Sequence, residues 1–302
     1  MASRTLPSGQ DEKAERIPLL RLNDGNAIPV LAYGFGTANF AGKDEDMSKL
    51  GVMAIKNGFY HIDGAEAYGN ETGMGAGIKA SGTPREKLFI TTKVVGTKGQ
   101  DVKAALATSL EKLGLDYLDL YLVHIPFGAG SPEELQRIWA EMEEVKASGK
   151  VKSIGVSNFM EEDIEVILKT AKTIPAINQI EYHPYLQHGN LTDYLREKDI
   201  AIAAYSPLAA ITAARPGPVD GVYAELAKKY GVTEGDVALR WCIDQSIVTL
   251  TTSHSAERLQ GYLRNVPSFK LTTDEIERIC ELGTQKHYQG PGMEFMRMRY
   301  AP

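Results

Sequence analysis

The feature that most constrains this chain is an alternation repeated eight times, in which a short apolar run is followed by a longer amphipathic segment. The runs are LAYGFG (31–36), FYHID (59–63), LFITTKV (88–94), YLDLYLVH (117–124), VKSIGVS (151–157), AINQIEY (176–182), IAIAAYS (200–206) and IVTLTT (247–252). Their length and their content of β-branched and aromatic residues predict strands. Between them the pattern predicts helices, among them 101–113, 131–149, 160–171, 220–230 and 233–243. The second of these opens on Ser-Pro-Glu-Glu, which supplies a capping hydroxyl, a proline for the first helical position and acids for the first turn, and it stops at Gly149.

Eight strands, each followed by helix, predict an α/β fold of the (β/α)8 TIM-barrel type, one domain over residues 1–302. A doubly wound sheet shows the same alternation. Against it, no G-x-G-x-x-G opens the first helix, and polar residues stand at the C-terminal ends of nearly every strand rather than at one switch point. Ahead of the barrel pattern, IPLLRL (17–22) and AIPV (27–30) flank Asn23-Asp24-Gly25-Asn26, a tight-hairpin signal. Residues 1–16 are polar, mixed in charge, and read as a flexible tail.

The strand ends carry Asp63, Lys93, His124, Ser157-Asn158, Gln179 and Glu181, Tyr205-Ser206, and Thr251-Thr252-Ser253. Each alone has an ordinary structural explanation. Together, Asp63, Lys93 and His124, with Tyr68 from the loop of HIDGAEAYGNE (61–71), bring an acid, an ammonium, an imidazole and a phenol to one mouth. A nearby ammonium stabilises a phenolate, so Lys93 is expected to lower the Tyr68 pKa from about 10, with Asp63 keeping Lys93 charged. Such a set suits protonation of a carbonyl oxygen, Tyr68 acting as general acid and His124 orienting the carbonyl. No side chain supplies hydride, so a cofactor is required.

A net charge of -6 gives no electrostatic case for nucleic acid or an anionic membrane, which leaves a small molecule as the expected partner. No run approaches the ~20 apolar residues of a membrane span, and the first sixteen residues lack a signal-peptide core. Cys242 and Cys280 are far apart, against a disulfide framework, and a cytosolic protein is expected. His61, His124 and His183 raise a zinc hydrolase as an alternative. The first strand has no H-x-H, and His61 shares the face of Asp63 at a deeper level, so no metal is expected.

At this point the chain resembles the aldo-keto reductases, and its fungal ketoreductase branch in particular. The resemblance rests on DGAEAYGNE (63–71), TTKV (91–94), YLVHIP (121–126), IGVSNF (154–159), NQIEYHPY (178–185), AYSPL (204–208) and TTSHSAERL (251–259), with DGNAIPVLAYGFGT (24–37) matching the hairpin and first strand. It implies an NADPH-dependent reductase with Asp63, Tyr68, Lys93 and His124 as catalytic tetrad, NADH being an alternative cofactor. It places Ser157, Asn158 and Gln179 on the nicotinamide carboxamide, the ring on Tyr205, and Ser206 and Leu208 along the pyrophosphate. Gly36 and Thr37 also fall on the cofactor side, and Thr251, Thr252, Ser253, His254 and Arg258 surround the adenosine end.

Departures from the family matter as well. Thr252 stands where many members have a lysine that grips the 2′-phosphate. Ala38, Val95 and Ile125 replace frequent tryptophans. With Phe40, Phe127, Tyr68 and His124, residues Ala38 and Ile125 are expected to line the substrate site, and the tail QGPGMEFMRMRY (289–300) to lie over its mouth. The short connection IPFGAGS (125–131) predicts an open cleft, and Gly64, in place of a Thr or Ser, a pliable loop. Ketones, α-dicarbonyls, keto esters and aldehydes are the implied substrates. A cofactor-binding regulatory subunit, an enzyme working in the alcohol-oxidising direction, and a monomeric state remain part of what the resemblance allows.

Overall fold

The computed structural model describes residues 17–36 and 39–301. The expected tail 1–16 and two expected site residues, Thr37 and Ala38, lie outside the described residues. A hairpin comes first, β1 (Leu19–Arg21) pairing antiparallel with β2 (Ala27–Pro29). Eight parallel strands follow: β3 (Leu31–Gly34), β4 (His61–Asp63), β5 (Phe89–Val94), β6 (Leu118–Val123), β7 (Val151–Ser157), β8 (Ile177–Glu181), β9 (Ala201–Tyr205) and β10 (Ile247–Thr251). They pair in chain order, and β10 closes on both β9 and β3, so the sheet is a barrel without edges.

Helices fill the gaps between strands: α1 (Asp44–Lys56), α2 (Glu71–Ser81), α3 (Val102–Leu113), α4 (Pro132–Ala147), α5 (Glu161–Leu168), α6 (Leu191–Glu197), α7 (Asp220–Tyr230) and α8 (Glu234–Asp244). After β10 come α9 (Ala256–Asn265), α10 (Thr273–Gly283) and α11 (Gly292–Tyr300). Each of the eight expected strands contains an observed one, shortened at one or both ends in all but β7. Helix α4 is capped by Ser131, whose Oγ accepts the Glu134 N–H at 3.2 Å, and it ends two residues before Gly149, where φ is +78°. Among the described residues no helix is long and apolar enough to cross a membrane.

Strand side chains alternate between two environments, as the two-residue strand period requires. Ala32, Leu120, Leu122, Ile177, Ala201, Ala203, Val248 and Leu250 form one buried cluster with Leu20, Leu22 and Ile28 of the hairpin segment. The hairpin therefore closes the N-terminal end of the barrel. Asn23 Nδ2 donates to the carbonyls of Pro175 and Asp199, and Asn26 Nδ2 to Ser153 Oγ, which fixes it against β7, β8 and β9. With that end sealed, the inward row of each strand can present polar groups only at the opposite rim.

His61 belongs to the wall, as its position two residues below Asp63 implies. It is buried, with Nδ1 donating to the Pro29 carbonyl at 3.1 Å and Nε2 3.1 Å from Thr91 Oγ1. Burial pushes its pKa down to about 4, the Asp63 carboxylate opposing the shift only in part. The folded state then holds His61 neutral while the unfolded chain binds a proton below about 6.5, so stability falls as pH drops from about 6.5 toward 4. This group should account for about 2 kcal/mol of the loss in unfolding free energy between pH 7 and pH 5. Urea unfolding of wild type and His61→Gln at both pH values checks it: the variant should show the smaller drop, and equal drops would contradict the assignment.

Candidate active site

At the rim, β4 and β5 place Asp63 and Lys93 side by side. Lys93 Nζ is 2.6 Å from Asp63 Oδ1 and donates to the Gly64 carbonyl at 2.7 Å, and both side chains are essentially inaccessible to solvent. Asp63 Oδ2 accepts a third contact from Gln179 Nε2 at 2.9 Å. Two buried charges are thus paired and hydrogen-bonded, the condition under which burial is tolerated.

Tyr68 is carried on a single 3-10 turn, Glu66–Tyr68, just after β4. Its ring meets the His124 ring edge-on, with centroids 5.5 Å apart, and Lys93 Nζ lies 5.3 Å from its ring centroid. A Cβ added to Gly36 would stand 3.5 Å from the Tyr68 hydroxyl, so glycine there keeps the hydroxyl uncovered. The four residues expected to act together are therefore adjacent. The expected lowering of the phenol pKa does not occur. Desolvation, followed by the Asp63 carboxylate, holds Tyr68 far above its ordinary value. Burial, and secondarily Lys93, push His124 well below the usual imidazole range. Both groups are neutral near pH 7, and His124 Nδ1 is buried without a partner among the described residues.

The neighbouring strand ends form a second polar cluster. Ser157 Oγ donates to the Gln179 carbonyl at 2.8 Å, and Asn158 Nδ2 donates to the His124 carbonyl and to Ser157 Oγ, both at 3.0 Å. Tyr205 OH donates to Asn158 Oδ1 at 2.8 Å. Asn158 and Ser206 hold φ values of +62° and +55°, conformations that non-glycine residues adopt infrequently and that concentrate at binding sites. The Ser, Asn and Gln amide and hydroxyl groups beside a tyrosine face fit a nicotinamide carboxamide and ring. Leu208 is half-buried in the loop that follows, its carbonyl accepting Thr212 Oγ1 at 2.8 Å.

The expected adenosine-end residues are less uniform. Thr251 Oγ1 is buried and unpartnered, and Thr252 Oγ1 meets Asn39 Nδ2 at 3.5 Å. Ser253 is buried, its Oγ accepting the Ser255 N–H at 3.0 Å and its carbonyl accepting Tyr33 OH at 3.1 Å, so it serves the turn into α9. His254 Nε2 is 2.9 Å from Asn39 Oδ1. Arg258 is exposed in the first turn of α9, with no ion pair among the described residues, which leaves its guanidinium free for an anion. Asn39, which the sequence motifs do not single out, connects this loop to the loop after β3.

The mouth is covered, contrary to the open cleft expected from the short segment 125–131. Met296 of α11 is buried in a cluster with Ala67, Val95 and Ile125, Phe295 packs edge-on to Phe40 at 5.2 Å, and Arg297 lies 4.8 Å from the Phe127 ring centroid. The tail does lie over the mouth. Ile125 is completely buried beneath it, so it is a packing residue and not an open wall. A cavity of about 240 Å³ remains beside Tyr205, lined by Phe127, Met160, Glu181, Met293 and Arg297 among others. His183 stays structural, Nε2 lying 3.3 Å from Glu181 Oε1 and Nδ1 accepting the Tyr185 N–H at 3.2 Å.

Residues 32–284 match the aldo/keto reductase family. The NAD/NADP-dependent indole-3-acetaldehyde reductase of Schizosaccharomyces pombe is 39% identical over 270 residues, covering 87% of this chain and 94% of the relative. The NADPH-dependent alpha-keto amide reductase of Saccharomyces cerevisiae is 37% identical over 282 residues, covering 87% and 90%. Among solved structures, the Bombyx mori aldo-keto reductase in complex with NADP superposes with a TM-score of 0.81 at 33% identity, over 89% of this chain and 94% of that one.

The pliable loop expected from Gly64 is not what the packing gives. A Cβ at Gly64 would lie 2.6 Å from Met74 Sδ, and Met74 is fully buried, so a neighbouring thioether fills the space that a Thr or Ser would need. Overpacking a filled core costs about 1–3 kcal/mol. Gly64→Ser should therefore lower the unfolding free energy by that order in urea titration. An unchanged or raised value would show that the loop was slack.

Proposed function

Because this chain belongs to the aldo/keto reductase family, we propose that it reduces ketone, α-dicarbonyl, keto ester or aldehyde groups to alcohols, with Tyr68 as proton donor and NADPH as cofactor. The observation that carries this reading is the buried Lys93–Asp63 pair next to a protonated Tyr68 and a neutral His124. When bound, NADPH supplies the hydride. The chain's own residues supply the rest. Tyr68 keeps its proton until negative charge develops on the substrate oxygen, then transfers it, and the phenolate left behind is met by the Lys93 ammonium. His124, neutral and edge-on to Tyr68, offers a ring nitrogen to the same oxygen and fixes its approach. Ser157, Asn158, Gln179 and Tyr205 hold the nicotinamide, with Gly36, Ser206 and Leu208 along the cofactor, and Thr251, Thr252, His254 and Arg258 at its far end.

NADPH is preferred over NADH because Arg258 presents a free guanidinium where the phosphate would lie, a geometry suited to bidentate contact. The NADPH dependence of the Saccharomyces cerevisiae relative and NADP in the Bombyx mori structure support the same choice, while the Schizosaccharomyces pombe relative is NAD/NADP-dependent. The alpha-keto amide and indole-acetaldehyde activities of those relatives support carbonyls carried on acyl or aromatic groups, in keeping with the Phe127, Met160 and Met293 side chains of the cavity. We place the enzyme in the cytosol as a monomeric, single-domain barrel.

A panel of α-diketones, β-keto esters, aldehydes and aldoses tests the reading. Tyr68→Phe should lower kcat by roughly 10²–10⁴, the range for loss of a general acid; full turnover in the variant would remove Tyr68 from the mechanism. Arg258→Ala should raise KM for NADPH by about 10–100-fold, the equivalent of one charge-assisted contact, with little change for NADH. Equal effects on both cofactors would mean that the phosphate is held elsewhere.

A further inference from the structure

The turn that carries Tyr68 also carries a carboxylate that none of the roles above uses. We propose that Glu66 is a positioning residue for the reaction, bracing Tyr68 against the strand ends that hold Lys93 and His124; this rests on the reading of Tyr68 as proton donor.

Glu66 stands two residues before Tyr68 in the same 3-10 turn. Its Oε2 accepts the Val95 N–H at 3.1 Å, and Gln100 Nε2 donates to both of its oxygens, at 3.0 and 3.2 Å. Among the described residues no cation pairs with it, so its charge is met by amide donors alone. Val95 directly follows β5, the strand of Lys93. The carbonyls of Val94 and Val95 accept the N–H groups of His124 and Ile125 at 2.8 and 3.3 Å. One short segment, Val94–Val95, therefore joins the end of the Lys93 strand to the end of the His124 strand, and through Glu66 it also joins the Tyr68 turn.

The other side of the turn is held separately. Ala41 N–H donates to the Tyr68 carbonyl at 2.9 Å, and Asn70 Nδ2 donates to the carbonyls of Phe35 and Asn39, both at 3.0 Å. These contacts fix the turn to the loop after β3. Glu66 fixes it to the side where the Lys93 and His124 strands end. Without Glu66 the Tyr68 ring could pivot relative to Lys93 and His124 while the fold stayed intact, and misplacement by about 1 Å costs about a hundredfold in rate.

Gln100 cannot simply turn over to suit a changed partner. Its Oε1 already accepts the Gly96 and Thr97 N–H groups at 2.8 and 3.2 Å, so its amide nitrogen is obliged to face Glu66. In Glu66→Gln an amide nitrogen replaces the oxygen that Gln100 Nε2 meets at 3.2 Å, so one contact is lost and two NH2 groups face each other there, and in Gln100→Glu two carboxylates oppose each other. The exchanged pair, Glu66→Gln with Gln100→Glu, restores a donor–acceptor contact across the pair, one in place of the two that Gln100 Nε2 makes with Glu66. The amide introduced in the Tyr68 turn accepts the Val95 N–H on its oxygen and donates from its nitrogen to the carboxylate introduced across from it, and that carboxylate still accepts the Gly96 and Thr97 N–H groups.

The test is a double-mutant cycle on the full chain, with Tyr68→Phe in parallel, reading kcat and KM for a carbonyl substrate, the NADPH dissociation constant by fluorescence titration, and Tm. Each single variant should lose about tenfold or more in kcat while the NADPH dissociation constant stays within about twofold, and the exchanged pair should return to within about threefold of wild type. Wild-type kcat in both Glu66→Gln and Glu66→Ala would overturn the proposal. So would a loss of kcat, cofactor affinity and Tm together that the exchange does not restore, since that is the pattern of a merely structural residue. Tyr68→Phe separates the two levels: if it turns over normally, the proton-donor reading fails and takes this one with it; if it is inactive while the Glu66 variants are normal, only the role of Glu66 falls.

Discussion

The Lys93–Asp63 ion pair is the interaction on which the rest of the site depends. Removing two charges from water costs several kcal/mol per ion, and a buried pair recovers that only when the remaining donors and acceptors are also satisfied. Here Gly64 supplies a carbonyl to the ammonium and Gln179 an amide to the carboxylate. Gln179 thereby links the pair to Ser157 and Asn158, because the Gln179 carbonyl accepts both Ser157 Oγ and the Asn158 N–H, at 2.8 and 2.9 Å. An ion pair of this kind is a poor source of stability. Its position at the C-terminal ends of β4 and β5, next to Tyr68 and His124, points to chemistry at the rim.

The architecture supports the pair from below. The hairpin seals one end of the barrel with Leu20, Leu22 and Ile28, and small inward residues such as Ala32, Ala201 and Ala203 leave the interior narrow. Gly155 shows how close the packing is: a Cβ there would lie 2.5 Å from the Ile177 carbonyl oxygen. The chemistry is confined to the opposite mouth, where α11 compensates for the short segment between β6 and α4.

Strand order, barrel closure and the neighbourhood of Asp63, Tyr68, Lys93 and His124 were legible in the sequence, because a two-residue alternation ending in polar residues has one face and one rim to occupy. Other features depend on contacts between segments distant in the chain. Burial of Ile125 depends on Met296, which lies 171 positions later. The role of Gly64 depends on Met74, and the loop after β3 meets His254 through Asn39. The phenol pKa went the other way because burial desolvates Tyr68 and the Asp63 carboxylate adds to the shift. Depth of burial decided that sign, and residue type alone does not carry it. Glu66 left a local trace, a carboxylate in the Tyr68 turn, but its partners Val95 and Gln100 are separated from it by a whole helix and strand.

If the ion pair is retained for chemistry and contributes little to the fold, then Asp63→Asn combined with Lys93→Met should separate the two. The double variant removes both charges together and leaves none uncompensated. Turnover of a carbonyl substrate, measured beside the urea unfolding free energy, is the decisive comparison. Unfolding free energy should stay within about 2 kcal/mol of wild type while turnover falls by at least about a thousandfold. Turnover at the wild-type rate in a folded double variant would contradict it.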